Sequence, residues 1–191
     1  MWKLPATTLK PWTLVECTRV GCFGIFDVVR SMARDAAGVL RKPVVTMKTS
    51  DWCNVIGVTA AGEVVLVRQF RFGVQSICLE VPGGVIDPGE APEAAARREL
   101  REETGYEAGE LQLLSVLYPN PALAANRLYS FAAHNVVASA NTAFDDLEEL
   151  ETVLVPQREL TALLDQGSIT HALCAVALEH FLRRFPMGTL P

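Results

Sequence analysis

The chain has 191 residues, half of them hydrophobic and 20% charged, which suits one soluble globular domain with its own core and a small appendage. A net charge of −5 without clustered Lys or Arg excludes a nucleic-acid footprint, so no nucleic acid is expected as a partner. No apolar run reaches the roughly 18 residues of a membrane helix, and the opening MWKLPATTLKPW has no signal-peptide core. No membrane association is expected. The five cysteines are an odd number and form no C-x-x-C, which argues against a disulfide framework or a zinc site. Reduced thiols and a cytoplasmic location are the expectation.

From about Trp12 to Met47 the chain reads as strands. TLVECTRVG and GIFDVVRSM carry alternating or β-branched apolar residues, Arg34–Gly38 is a turn, and Pro43–Met47 resumes a strand. This predicts a small antiparallel sheet over residues 1–48, ahead of a main domain over 49–191. Asn54–Thr59 and Val64–Arg71 flank a short Gly-containing turn and predict a hairpin. Ile77–Val81 is a further strand, and it leads into Pro82-Gly83-Gly84, a turn in which backbone can approach a ligand closely.

A helix is predicted next. Pro92 suits its first turn, Ala94–Glu103 are mostly strong helix formers, and Gly105 suits its C-terminal cap. Glu99, Glu102 and Glu103 are spaced i, i+3, i+4 and share one face. Ala96 and Leu100 mark the opposite, buried face, so the acids are expected to point away from the core. Like charges so placed repel unless something positive sits among them. The plainer alternative is a solvated charged helix. The adjoining double glycine favours a site. Oxygen-only donors suit a hard ion, Mg2+ or Mn2+, which keeps waters and takes remaining ligands from substrate phosphates.

Downstream, Leu111–Tyr118 and Arg127–Val137 are predicted strands joined through the Asn120-Pro-Ala122 loop. Ala138–Leu150 is an acidic loop, and Glu151–Val155 is a strand. Glu159–Asp165 is a short helix closed by Gly167, and Thr170–Phe185 is a longer one with apolar positions 173, 176, 177 and 181. His134, His171 and His180 show no triad or metal spacing with the cysteines and read as structural or surface residues.

The stretch from Gly84 to Tyr106 resembles the Nudix box, G-x5-E-x7-R-E-U-x-E-E-x-G-U, at Gly84, Glu90, Arg98, Glu99, Leu100, Glu102, Glu103, Gly105 and Tyr106. The resemblance implies an α/β fold, a Nudix α/β/α sandwich carrying the small N-terminal antiparallel sheet. It also implies hydrolysis of a nucleoside diphosphate linked to another group. Glu99 and Glu103 would be metal ligands for Mg2+, with Mn2+ as substitute. Glu102 would be a further ligand or support, and the Gly83 carbonyl another ligand. Arg98 would orient the carboxylates, close to Glu90. Arg68-Gln-Phe-Arg71 before Glu80-Val-Pro-Gly-Gly84 resembles elements of the ADP-ribose pyrophosphatase branch. There Arg71 would contact a diphosphate or ribose, and Glu80 the nucleotide or its surroundings; either arginine would equally suit a salt bridge.

In that branch the general base comes from a later loop, here Leu147–Glu151. Glu149 is the expected base and Glu151 an alternate or further ligand, with Asp145, Asp146 and Glu148 as competitors. The chain departs from the branch at Tyr118–Arg127, where Asn126-Arg127 replaces an expected acid. This favours a nucleoside diphosphate sugar other than, or besides, ADP-ribose. Asn120, Asn126 and Arg127 would read sugar hydroxyls or phosphate. The N-terminal segment would serve dimerisation and base binding, with aromatics such as Trp12, Phe23 and Phe26 stacking on the base or filling a core. A homodimer follows from the branch alone. The competing readings are a hydrolase of oxidised or non-standard nucleoside triphosphates, and a non-catalytic nucleotide sensor. Product identity separates the two enzymes, and metal-dependent turnover separates enzyme from sensor.

Overall fold

The computed structural model describes residues 3–139, 142–143 and 149–186. The chain forms two compact units: Met1–Thr49 with Asn120–Ala125, and Ser50–Pro119 with Asn126–Pro191. The first unit holds a three-stranded antiparallel meander, β1 (Thr13–Cys22), β2 (Asp27–Arg34) and β3 (Leu40–Lys48). Val29, Ser31 and Ala33 alternate along the central strand as its buried face. Residues 120–125 join this unit because the Met47 amide donates to the Leu123 carbonyl at 2.7 Å.

The second unit is built on an eight-stranded mixed sheet of β4 (Trp52–Thr59), β5 (Glu63–Arg71), β6 (Ser76–Glu80), β7 (Gly83–Val85), β8 (Tyr106–Glu107), β9 (Leu111–Leu117), β10 (Leu128–Ala138) and β11 (Leu150–Pro156). β4 and β10 run parallel, and the other pairings are antiparallel. Among the described residues three helices cover it: α1 (Pro92–Thr104), α2 (Leu160–Asp165) and α3 (Ala172–Arg184).

The period-2 alternation of the central strands creates the layers. Cys53, Val55, Val65, Phe131 and Ala133 face one side, where Ala95, Ala96 and Leu100 of α1 pack on them. Ile56, Val58, Val64, Leu66 and Ala132 face the other, under Leu160 of α2 and Cys174, Ala177, Leu178 and Phe181 of α3. Strands this apolar on both faces must be central, and the expected sandwich of helices around a sheet results.

Three local expectations are corrected. Gly83–Val85 is a strand rather than a turn, since Asn54, Cys53 and Trp52 of β4 pair with Gly83, Gly84 and Val85. The helix expected from Thr170 starts at Ala172, because His171 keeps an extended conformation with ψ 110°. The segment expected as one helix from Glu159 opens as a 3-10 turn over Gln157–Glu159 before α2.

Candidate active site

The site begins where β6 turns into β7. Pro82 leads the chain against β4, with the Val55 amide donating to the Pro82 carbonyl at 2.9 Å. A side chain at Gly83 would strike the Cys53 carbonyl oxygen and the Asn54 backbone. One at Gly84 would sit 2.5 Å from the Glu99 carboxylate. The two glycines therefore have separate uses: one lets β7 pair closely with β4, and the other lets Glu99 lie against β7.

Helix α1 supplies the acids. It ends at Gly105, a left-handed cap with φ 72° whose amide returns to the Arg101 carbonyl. Arg98 sits among the carboxylates. Its Nε and Nη2 donate to Glu90 Oε1 and Oε2, both at 3.0 Å, and Nη1 donates to Glu99 at 2.8 Å and Glu102 at 3.2 Å. Nη2 also donates to the Val85 carbonyl at 3.1 Å, tying the helix to β7. The same guanidinium holds the Glu90 carboxyl below its usual range, chiefly through those hydrogen bonds.

Glu103 differs from its neighbours. The expectation that all the helix acids point away from the core is corrected here, because Glu103 is only 3% exposed. Its Oε2 accepts the Gly83 amide of β7 at 3.0 Å. Glu99 is also largely covered, with its side chain 12% exposed. Glu102 faces outward, beside Arg101 at 3.7 Å.

A second cluster lies where β5, β6 and the start of α3 meet. Glu80 is 2% exposed. Arg71 grips it with two hydrogen bonds, Nε to Oε1 at 2.8 Å and Nη2 to Oε2 at 2.7 Å. His171 Nδ1 lies 2.8 Å from Oε2, and Cys174 Sγ lies 3.8 Å from the same oxygen. Burial alone would raise the Glu80 carboxyl, but the hydrogen bonds from Arg71 and His171 outweigh it and hold the group at about 2. An ionised carboxylate only accepts, so His171 Nδ1 carries the proton. Burial, followed by the charge of Glu80, pushes the Cys174 thiol up to about 12.

Sequence reasoning placed His171 apart from the cysteines, and this is corrected: its Nδ1 is 3.3 Å from Cys174 Sγ. The i, i+3 spacing of His171 and Cys174 was the available signal. Glu80 completes the group only through tertiary packing. Enclosed as it is, Glu80 holds Arg71 in place.

The remaining expected residues have the following partners. Glu149 is exposed, one residue before β11. Glu151 pairs with Arg68 across the strands at 3.2 Å. Ala143 lies against α1, its amide donating to the Glu102 carbonyl at 2.8 Å. Asp145, Asp146 and Glu148 lie outside the described residues. Asn126 is 6% exposed, and its amide nitrogen finds no hydrogen-bond acceptor among the described residues. Arg127 is exposed, with its amide on Asp51 at 2.7 Å. Phe26, in the first unit, is half-buried and packs on Phe23 with ring centres 5.4 Å apart.

The donors suit a hard cation. Three carboxylates, Glu90, Glu99 and Glu102, touch one guanidinium, leaving local negative charge in an all-oxygen setting. They are spread around Arg98 rather than converged. Among the described residues, the group whose His, Cys, Asp or Glu ligand atoms all fall within 4.8 Å of one another is Glu80, His171 and Cys174. An ion that keeps waters and phosphate oxygens in its shell does not require convergence beforehand.

A family profile described as NUDIX domain matches residues 53–173. The ADP-ribose pyrophosphatase of Bacillus subtilis is 32% identical over 127 residues, covering 66% of this chain and 69% of that protein. The GDP-mannose pyrophosphatase of Pectobacterium atrosepticum is 29% identical over 172 residues, covering 85% and 88%. The mouse ADP-sugar pyrophosphatase is 36% identical over 112 residues, covering 53% and 49%. A crystal structure described as an ADP compounds hydrolase superposes with a TM-score of 0.83 at 24% identity, over 94% of this chain and 97% of that one, a likeness of fold.

Proposed function

This chain belongs to the NUDIX domain family, and we propose that it hydrolyses the diphosphate linkage of a nucleoside diphosphate sugar. The products are a nucleoside monophosphate and a sugar phosphate. The observation that carries the reading is the α1 acid set gathered by Arg98 and seated against Gly83-Gly84. The names of the relatives, ADP-ribose, ADP-sugar and GDP-mannose pyrophosphatase, support the substrate class.

A divalent cation, Mg2+ or Mn2+, would be held by Glu99, Glu103 and the Gly83 carbonyl with help from Glu102, and would supply charge neutralisation of the diphosphate and an acidified water. Arg98 keeps Glu99 and Glu102 oriented by charge-assisted hydrogen bonds. Glu149 takes the proton of the attacking water, with Glu151 as the alternate base. Arg71, aimed by Glu80, meets the diphosphate, and Asn126 and Arg127 meet the sugar. Phe26 of the N-terminal unit stacks on the base. That unit also joins two copies into a homodimer, and the protein works in the cytoplasm. Among the described residues no helix is long and apolar enough to cross a membrane.

The test is incubation with Mg2+ and, separately, ADP-ribose, GDP-mannose, UDP-glucose and 8-oxo-dGTP, with product identification. The expected result is monophosphate plus sugar phosphate from at least one sugar, reduced about 100-fold or more in Glu103→Gln. Turnover of 8-oxo-dGTP alone would instead make the chain a triphosphate hydrolase.

A further inference from the structure

The strongest feature outside the acidic helix is the buried group at the start of α3. We propose that Glu80, His171 and Cys174 form a binding site for a soft divalent cation of the Zn2+ type, separate from the oxygen-only carboxylates of α1. The proposal does not rest on the hydrolase reading.

Donor chemistry comes first. Thiolate, imidazole and carboxylate together are a zinc donor set, whereas Mg2+ takes oxygen. Geometry comes second. Bond lengths of about 2.0–2.3 Å at tetrahedral angles put ligand atoms about 3.6 Å apart for sulfur with nitrogen or oxygen, and about 3.4 Å apart for nitrogen with oxygen. Here Cys174 Sγ is 3.3 Å from His171 Nδ1 and 3.8 Å from Glu80 Oε2, and Nδ1 is 2.8 Å from Oε2. The last pair must open most, by about 0.6 Å, and it is the hydrogen bond that the cation would replace, while the sulfur–nitrogen pair opens by about 0.3 Å.

The frame is rigid. Cys174 lies in α3, one turn after His171 at its N-terminal cap, and Glu80 ends β6. Arg71 stays on Glu80, Nε on Oε1 and Nη2 on one lone pair of Oε2, while the other lone pair of Oε2, freed from His171, takes the ion, as an outer partner orients a metal ligand. The His171 side chain is 37% exposed, which gives an entry path and a fourth position for water. The exchange balances. Cys174 loses its thiol proton to solvent, His171 moves its ring proton from Nδ1 to Nε2, and one proton leaves per cation bound.

The test uses the full chain in excess Mg2+, which occupies hard-ion sites. Co2+ is titrated and absorption followed. The expected result is a near-ultraviolet thiolate-to-cobalt charge-transfer band saturating at one ion per chain and abolished by one equivalent of Zn2+. The band is expected to vanish in Cys174→Ser with unchanged circular dichroism, and Co2+ affinity to fall about tenfold or more in His171→Ala. Two results overturn the proposal: no such band in the wild type, or a band of equal strength in Cys174→Ser, which would come from another of the five cysteines.

Discussion

A guanidinium is a planar fork, and Arg98 uses both prongs on Glu90 while its remaining donors reach Glu99, Glu102 and the Val85 carbonyl. A lysine ammonium offers a point charge on a flexible stem and cannot hold that set. Arg98→Lys is therefore expected to keep the fold but lower Mg2+-dependent kcat/KM by about 10–100-fold, with half-saturation shifted to higher Mg2+ in an activity titration. Unchanged kinetics would remove Arg98 from the orienting role. Glu80 predicts a pH effect. Its carboxyl lies at about 2 in the folded chain against an ordinary 4.5. The folded value is depressed, so its contribution is present above about 4.5 and lost as pH falls through about 2. The difference in urea-unfolding free energy between wild type and Glu80→Gln should narrow across that window, by on the order of 3 kcal/mol. A pH-independent difference would show that the Arg71 and His171 contacts do not favour the ionised form.

At the level of elements, the site depends on the short strand β7 lying flat on β4 and under α1. Gly83 and Gly84 test the two contacts separately. Gly83→Ala puts a methyl into the β4 backbone and should lower stability by about 1–3 kcal/mol, read by chemical denaturation. Gly84→Ala meets the Glu99 carboxylate first, a movable group, so its stability should change less while metal-dependent activity falls. Equal stability losses in both would contradict this division. The reading of α1 itself was legible beforehand, since Pro92, the helix formers and Gly105 are local signals. β7 was not, because two glycines and a valine look like a turn until β4 comes alongside.

For the whole molecule, Trp12 just before β1, Val20 within it, and Phe23 and Ile25 between β1 and β2 are between 57% and 76% exposed. An antiparallel meander showing that many large apolar groups suits the proposed homodimer. Light scattering should return twice the 20.8 kDa chain mass, and Phe23→Ser with Ile25→Ser should shift the population toward monomer. A wild-type monomer at assay concentration would refute it. The sequence by itself determined the central strands, because runs such as Val64–Val67 are apolar on both faces and have nowhere to go but the middle of a sheet. It also determined the acidic helix and its family, through charges at fixed helical spacing. Only the tertiary structure decided that Glu103 is buried beneath Gly83, that Glu80 is enclosed by Arg71 and His171, and that Cys174 joins them. The reason is physical. Spacing along one element is local and can be counted, but the environment of a carboxylate depends on groups delivered by other elements, and nothing in a chain's order states which will arrive.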